Sequence, residues 1–397
     1  MRSVTRSAGG APTAVVSPRG AARLARGHPW VYRSDVITRP DGEADVVAVR
    51  GAGERWLGWA LWSPRSEISL RLLDAHRDAQ IGPAWWRARL ETALARREAV
   101  RMHTNAYRLV HAEGDGLPGL ICDRYDQWLV VQILTAGIER CRVDIVEALG
   151  ALTGAAGILA RNDVAVRRKE GLSDEIELLA GDVPREIEVR EGGIRYVAAP
   201  WDGQKTGAFL DQRDNRLLMG ELARGRALDC FTYHGSFALH LARRAVAVVA
   251  LDSSAAALAR GRDNALLNGA TSIEFVEADA FEYLRQAERA RTRFDTIVLD
   301  PPAFAKTRSA LPGALRGYKE INLRAMRLLA PGGLLYTASC SFHVTRALFL
   351  DMLAAAAADS GRRLVVRRVL GQSSDHPEVL TIPETAYLKG ALVESQD

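Results

Sequence analysis

Cysteine is scarce in this chain and is spread along it. The 397 residues hold four, Cys122, Cys141, Cys230 and Cys340, and none belongs to a C-x-x-C motif. That spacing excludes a zinc finger or a redox dithiol, predicts no metal site, and fits a reducing, cytoplasmic setting. No apolar run reaches the roughly 18 residues that a membrane span requires, and the first residues are polar, so neither a span nor a secretory signal is expected. Low-complexity tracts are missing too, beyond the run Ala354–Ala358, which reads as helix filler. With 48% hydrophobic and 25% charged residues, 34 Gly and 15 Pro, the composition excludes disordered and collagen-like classes.

Lysine is the second shortage, with five against 48 arginines. The net charge of +5 becomes informative only when divided. Residues 1–110 carry 18 Arg, no Lys and 10 acids, a local charge of +8, whereas the remainder stands at −3. A basic end joined to a near-neutral body is how a nucleic-acid grip attached to a catalytic unit would read. The length exceeds what one hydrophobic core organises, so two or three domains are expected.

Residues 1–12, rich in Gly and Ser, read as a flexible leader. Residues 13–76 alternate short β-like runs (45–50, 55–62, 67–73) with turn signals at Asp41-Gly42 and Ser63-Pro64, which predicts a small barrel or sandwich. Residues 80–190 read as an α+β unit with a helix over 83–103, a hairpin around 123–127, a helix over 138–149 and a strand over 157–161. From residue 200 to 397 the rhythm becomes strand then helix, with apolar strands at 227–231, 246–251, 273–277, 296–299 and 334–338 and closing strands at 363–370 and 386–393. The fold class is α/β: a doubly wound, Rossmann-like, mostly parallel sheet.

Ligands of such sheets bind where strands end. Here four strand ends carry carboxylates: Asp229, Asp252, Asp279 and Asp300. Asp252 follows Asp229 by 23 residues, the offset at which an acid holds a ribose diol. The first turn, Asp229 to Phe237, lacks G-x-G-x-x-G and retains only Gly235. A phosphate-free nucleoside cofactor suits it better than a dinucleotide, and S-adenosylmethionine is the candidate. Asp229 and the turn Phe231, Thr232, Tyr233, Gly235 and Phe237 would meet its amino-acid tail, Asp252 and Ser253 its ribose, and Asp279-Ala280 its adenine. Asp300-Pro301-Pro302-Ala303-Phe304 is a turn stiffened by two prolines, with an acid for a ring nitrogen and an aromatic for a planar base. Cys340, at the fifth strand end, could attack carbon 6 of a pyrimidine, while Cys230 reads as packing.

These residues resemble the bacterial large-subunit (23S) ribosomal RNA 5-methylcytosine methyltransferases of the methyltransferase I type, over essentially the whole chain. The likeness is carried by Arg26-Gly-His-Pro-Trp-Val31, Glu113-Gly-Asp-Gly-Leu-Pro-Gly-Leu120, Gln204 to Arg213, Cys230-Phe-Thr-Tyr233, Asp300 to Phe304, Gly317 to Asn322, Ser339-Cys-Ser341 and Asp375-His-Pro377. The resemblance implies an N-terminal PUA domain, a central α/β domain, a class I methyltransferase fold with a reversed last strand, and a cysteine nucleophile at Cys340 assisted by Asp300. It also brings Phe209, Asp211 and Arg213 to the cofactor and suggests Pro302, Phe304, Lys306, Arg26, His28 and Trp30 as RNA contacts, with core anchoring an equal alternative for His28 and Trp30. His234 and Ser236 depart from the family pattern, which has a smaller residue and a second glycine there. Ribosomal RNA is the expected partner and no membrane is. Homodimers are common in such folds, although no surface stripe argues for one. Two other readings stay open: an exocyclic-amine RNA methyltransferase, and a non-catalytic RNA-binding assembly factor.

Overall fold

The computed structural model describes residues 10–305 and 307–397; Lys306 and the first nine residues of the expected leader lie outside the described residues. The chain forms two compact units. One comprises the residues up to 191 with 197–211 and 374–385, the other 192–196, 212–373 and 386–397.

In the first unit the short runs near the N-terminus become a six-stranded sheet, ordered Trp30–Tyr32, Ile68–Asp74, Trp56–Trp62, Asp45–Arg50, Thr13–Val16, Val36–Thr38. Alternation along its strands sorts residues between two cores. Val47, Val49, Ala60 and Trp62 face one, and Val46, Ala48, Trp59 and Leu61 face the other. Strands buried on both faces carry apolar residues continuously, which is why WLGWALW shows no polar alternation. A second sheet has five strands, Ile176–Gly181, Gly157–Arg161, Trp128–Ile133, Leu120–Tyr125 and Ala106–His111, in that order.

The helix expected over 83–103 starts at Pro83, a residue suited to a first helical turn, but divides into Pro83–Arg96 and Glu98–Arg101. The break falls at Arg97, whose side chain is drawn into a buried ionic cluster. Its guanidinium grips both oxygens of Asp115 at 2.6 Å and donates to the carbonyls of Arg108 and Asp375. Arg108 in turn holds Asp123, and its amide donates to Asp375 Oδ2 at 2.8 Å. Burial and the neighbouring cations hold His111 well below its ordinary pKa, so it sits in the cluster as a neutral ring. Gly114 lies under the same cluster, where a Cβ would come within 2.9 Å of the Pro377 carbonyl.

The second unit is built on a seven-stranded sheet of β1 (Arg226–Cys230), β2 (Ala247–Asp252), β3 (Ile273–Glu277), β4 (Phe294–Leu299), β5 (Leu329–Ser339), β6 (Leu364–Leu370) and β7 (Lys389–Ser395). The order is β3-β2-β1-β4-β5-β7-β6. The first five run parallel, and β7 inserts antiparallel between β5 and β6. A helix over Arg213–Leu222 precedes β1, and those that follow the first five strands are α1 (Ser236–Leu241), α2 (Ala255–Leu267), α3 (Ala280–Arg289), α4 (Leu311–Leu328) and α5 (Arg346–Ser360). This is the doubly wound α/β fold expected, including the reversed last strand. Strand order changes direction at β1 and β4, so the exits of these strands are where a ligand site forms.

The Arg97–Asp115 pair, 1% and 0% exposed at its side chains, yields a stability prediction. Asp115→Ala leaves a buried guanidinium without its carboxylate and should cost about 3–5 kcal/mol. Breaking the exposed Arg87–Glu91 pair should cost under about 0.5 kcal/mol. Urea unfolding of the two variants checks the contrast.

Candidate active site

The first turn is organised by a buried acid. Asp229 is 1% exposed, and its Oδ2 accepts from the Thr232 hydroxyl at 2.5 Å and the Ala238 amide at 3.0 Å. Its Oδ1 is buried and has no hydrogen-bond partner among the described residues. Burial pushes this carboxyl up to about 7; the two hydrogen bonds oppose the shift, and the nearby Asp300 and Asp252 add to it. Around it the backbone enters the left-handed region at Phe231 (φ 65°), Tyr233 (φ 53°) and Gly235 (φ 82°). Two of these carry side chains there, a strained arrangement characteristic of ligand turns. At Gly235 a Cβ would also approach the Phe275 ring to 3.2 Å. His234, despite its size, turns into the interior and stacks on Tyr196 at 5.2 Å. Phe237 packs inward on Tyr336, beneath the turn.

Asp252 ends β2 with both oxygens in use. Oδ2 accepts from the Tyr233 amide and Oδ1 from the Ser254 amide, each at 2.9 Å. The carboxylate thereby ties the first turn to the second, and exposed Ser253 lies between. Asp279 is exposed and caps α3, accepting from the Glu282 amide, with Ala280 buried behind it.

The Asp300-Pro-Pro-Ala-Phe turn follows β4, with Pro301 buried and Pro302 exposed. Phe304 lies 4.5 Å from the Tyr318 ring and 5.9 Å from Phe281, centroid to centroid. Its successor joins it to the fifth strand end: Ala305 N donates to Ser341 Oγ at 3.1 Å, and the Ser341 and Tyr318 hydroxyls share a hydrogen bond at 2.8 Å. Ser341 follows Cys340. The proline-rich turn and the cysteine are therefore held in register by one buried hydroxyl pair.

Lys389 is the functional candidate missed from sequence. It is 3% exposed, pairs in register with Ser339 across β5 and β7, and donates from Nζ to the carbonyls of Ser341 and Tyr387. Burial lowers its pKa to about 8, and the adjacent Cys340 thiol pulls the other way. The signal available was a lysine, one of five, inside a run otherwise apolar from Ala386 to Val393. Cys340 is partly exposed, whereas burial raises the thiols of Cys122 and Cys230.

The other expected residues are placed as follows. Phe209 and Asp211 lie in the first unit, where the Lys205 ammonium sits over the Phe209 ring and pairs with Asp211. Arg213 is buried at the start of the helix Arg213–Leu222 in the second unit and bonds Asp214. Arg26 is exposed. His28 meets Glu384 at 3.2 Å, and Trp30 Nε1 donates to Glu113 at 2.9 Å, so both polar edges are satisfied within the first unit.

The residues of the first turn fit an adenosine bearing an amino-acid tail. Asp229 offers an unused buried acceptor, and the loop has strained backbone and no crowding Cβ at Gly235. A family model described as S-adenosylmethionine-dependent methyltransferase matches residues 108–392, and a PUA-like domain model matches 14–75. Proteins named ribosomal RNA large subunit methyltransferase I are similar along nearly their whole length. The one from Tolumonas auensis is 42% identical over 386 residues, covering 94% of this chain and 96% of that protein. The one from Aeromonas salmonicida is 40% identical over 383 residues, with the same coverage. A SAM-dependent methyltransferase structure from Streptococcus mutans shares the fold at 21% identity and TM-score 0.81, covering 96% of this chain and all of that one. A methyltransferase crystallised with SAH does so at 20% identity and TM-score 0.83, with the same coverage. This chain belongs to the S-adenosylmethionine-dependent methyltransferase family.

Proposed function

We propose that this protein methylates carbon 5 of a cytosine in large-subunit ribosomal RNA, using Cys340 as a covalent nucleophile. The observation that carries the reading is the environment of Cys340: a partly exposed thiol at the end of β5, beside the buried Lys389 ammonium and tethered through Ser341 to the Asp300 turn. The ribosomal substrate is supported by the names of the relatives and by the basic, PUA-like N-terminal region. The same reading divides the chain into 13–76 and 80–190 for RNA and 200–397 for chemistry, acting in the cytoplasm.

S-adenosylmethionine supplies the methyl group as a sulfonium and would be held by Asp229 and the 231–237 turn at its tail, Asp252 and Ser253 at its ribose, and Asp279-Ala280 at its adenine. Cytosine carbon 5 is a poor nucleophile. The Cys340 thiolate overcomes this by adding to carbon 6, while Asp300, acting as an acid at the ring nitrogen, neutralises the negative charge that develops there; once carbon 5 carries the methyl group, loss of the carbon 5 proton expels Cys340 as thiolate and restores the ring. Lys389 favours the thiolate over the thiol by proximity of charge. The base must leave its stack to reach these groups, a cost of a few kcal/mol that favours a loop or an incompletely assembled RNA. Pro302 and Phe304 border the path of the flipped base, and exposed Arg26 is the RNA contact of its motif, with His28 and Trp30 anchoring it to the first unit.

Cys340→Ala should abolish methyl transfer while retaining S-adenosylmethionine affinity by calorimetry. RNA carrying 5-fluorocytosine should form a denaturation-resistant adduct with the wild type; a wild type that methylates without trapping such an adduct would instead be an exocyclic-amine enzyme. Lys389→Met should move the rising limb of the single-turnover pH profile upward by about one unit, slowing the reaction about tenfold at neutral pH. An unmoved limb removes Lys389 from thiol activation. Asp229 holds its proton up to about pH 7, so it becomes the carboxylate that a cationic amino-acid tail prefers only as pH rises past that value. S-adenosylmethionine affinity should accordingly strengthen from pH 6 to 8 with proton release. Asp229→Asn should flatten that dependence.

A further inference from the structure

A cleft within the first unit has the chemistry of a phosphate site. It has a volume of about 380 Å³ and is lined by Arg101, His103, Asn105, Tyr107, Arg124 and Arg190, with Asp126 the one carboxylate among the described residues of its wall. Three guanidiniums against one carboxylate leave a net positive field whatever the state of His103. We propose that this cleft binds a phosphodiester of the RNA backbone; the inference rests on the RNA reading above and assigns to that RNA a contact site not identified from sequence.

The strongest observation is the Tyr107 hydroxyl. Tyr107 is 2% exposed; Arg124 bonds toward its hydroxyl oxygen, and among the described residues nothing accepts its O–H proton with ordinary geometry. The charges of Arg124 and Arg101 reach it, opposing the upward pull of burial on its pKa. A buried O–H donor between two cations lacks only an anionic acceptor, and leaving it unmatched is costly.

The walls are fixed while the cations stay available. Asn105 clamps the strand Ile187–Glu191, donating to the Glu188 carbonyl and accepting from the Arg190 amide. Its own carbonyl accepts from the Asp126 amide at 2.7 Å. Arg124 donates from Nε to the Asp126 carbonyl at 2.6 Å and also bonds toward the Tyr107 hydroxyl, so its guanidinium is oriented into the cleft. Arg190 stands 3.7 Å from Asp126, and Arg101 makes an exposed pair with Glu98 at 3.0 Å. Exposed pairs of this kind contribute little and yield readily to a phosphate, which guanidinium binds bidentately. Met102, 82% exposed beside the cations, offers an apolar surface to the flanking nucleoside, which free phosphate would not use.

The test compares the wild type with Arg101→Gln/Arg190→Gln, two exposed positions, and with Tyr107→Phe. Unchanged S-adenosylmethionine binding confirms folding in each. Binding of a large-subunit ribosomal RNA transcript is measured across a salt series, and inorganic phosphate is titrated in parallel. The double variant should weaken RNA binding and reduce the salt slope by about 1–2, and Tyr107→Phe should weaken it several-fold with little change in slope. Unchanged RNA affinity and slope in the double variant overturn the proposal. If that variant loses phosphate binding alone, the cleft takes a free anion, and the RNA assignment fails by itself. A wild type that binds phosphate here but no RNA overturns the ribosomal reading of the preceding section together with this one.

Discussion

The carboxylate of Asp229 is buried at the end of the central strand, and the first loop of the second unit is folded around it. One oxygen takes the Thr232 hydroxyl and the Ala238 amide, which pins both limbs of the turn and the start of α1. The left-handed residues at 231, 233 and 235 follow from that arrangement, because a chain reversing so tightly over a strand end has no relaxed path. The other oxygen is left buried and unmatched, and the two nearest carboxylates raise the cost of ionising it. An isolated fold gains nothing from such a group, whereas a site for a cationic ligand gains a great deal. Asp252 extends the constraint by bonding the Tyr233 amide, so two strand ends act as one rigid cradle.

The first unit shows a different use of charge. Arg97, Arg108, Asp115, Asp123 and Asp375 satisfy one another in its interior and stitch together segments distant in sequence. Several motifs that carry the family resemblance converge here. Trp30 reaches Glu113, Asp115 holds Arg97, Asp375 takes the Arg108 amide, and Gly114 admits the Pro377 carbonyl. Their chemistry is that of structural pairing, since each polar atom named is already engaged by the protein. Motif density by itself therefore does not mark a reactive site; the exposure and unmet valence of the groups do.

Strand ends were legible because their pattern is local. An apolar run followed by an acid identifies Asp229, Asp252 and Asp300 without reference to anything distant, and the α/β rhythm follows from the same runs. What stayed hidden depends on long-range register. Lys389 stands 49 positions after Cys340 and reaches it only because β7 inserts antiparallel beside β5, opposite Ser339. The helix break at Arg97 was hidden for the same reason, as its cause is a carboxylate on another element. Asp279 illustrates an ambiguity of a third sort. An acid at a strand end is also an acid before a helix, and the structure shows its carboxylate capping α3. The cleft around Tyr107 left no trace in sequence, since its cations come from a helix end, a hairpin and an edge strand.

Environment rather than position singles out one of four cysteines. Cys122 and Cys230 are fully enclosed, and burial lifts their thiols away from ionisation. Cys230 even lies in the strand end that carries Asp229, where proximity to a carboxylate raises it further. Cys141 is partly exposed but sits at a helix junction, between Arg140 and Arg142, with no strand-end carboxylate beside it in sequence. Cys340 combines partial exposure, a buried ammonium and a tether to the Asp300 turn through the Ser341–Tyr318 hydroxyl pair. That pair also fixes Phe304, whose ring rests on Tyr318. A substitution at Ser341 would thus disturb the Cys340 strand end, the acid-bearing turn and the aromatic together. The chemistry is arranged as one mechanical unit around a single buried hydroxyl.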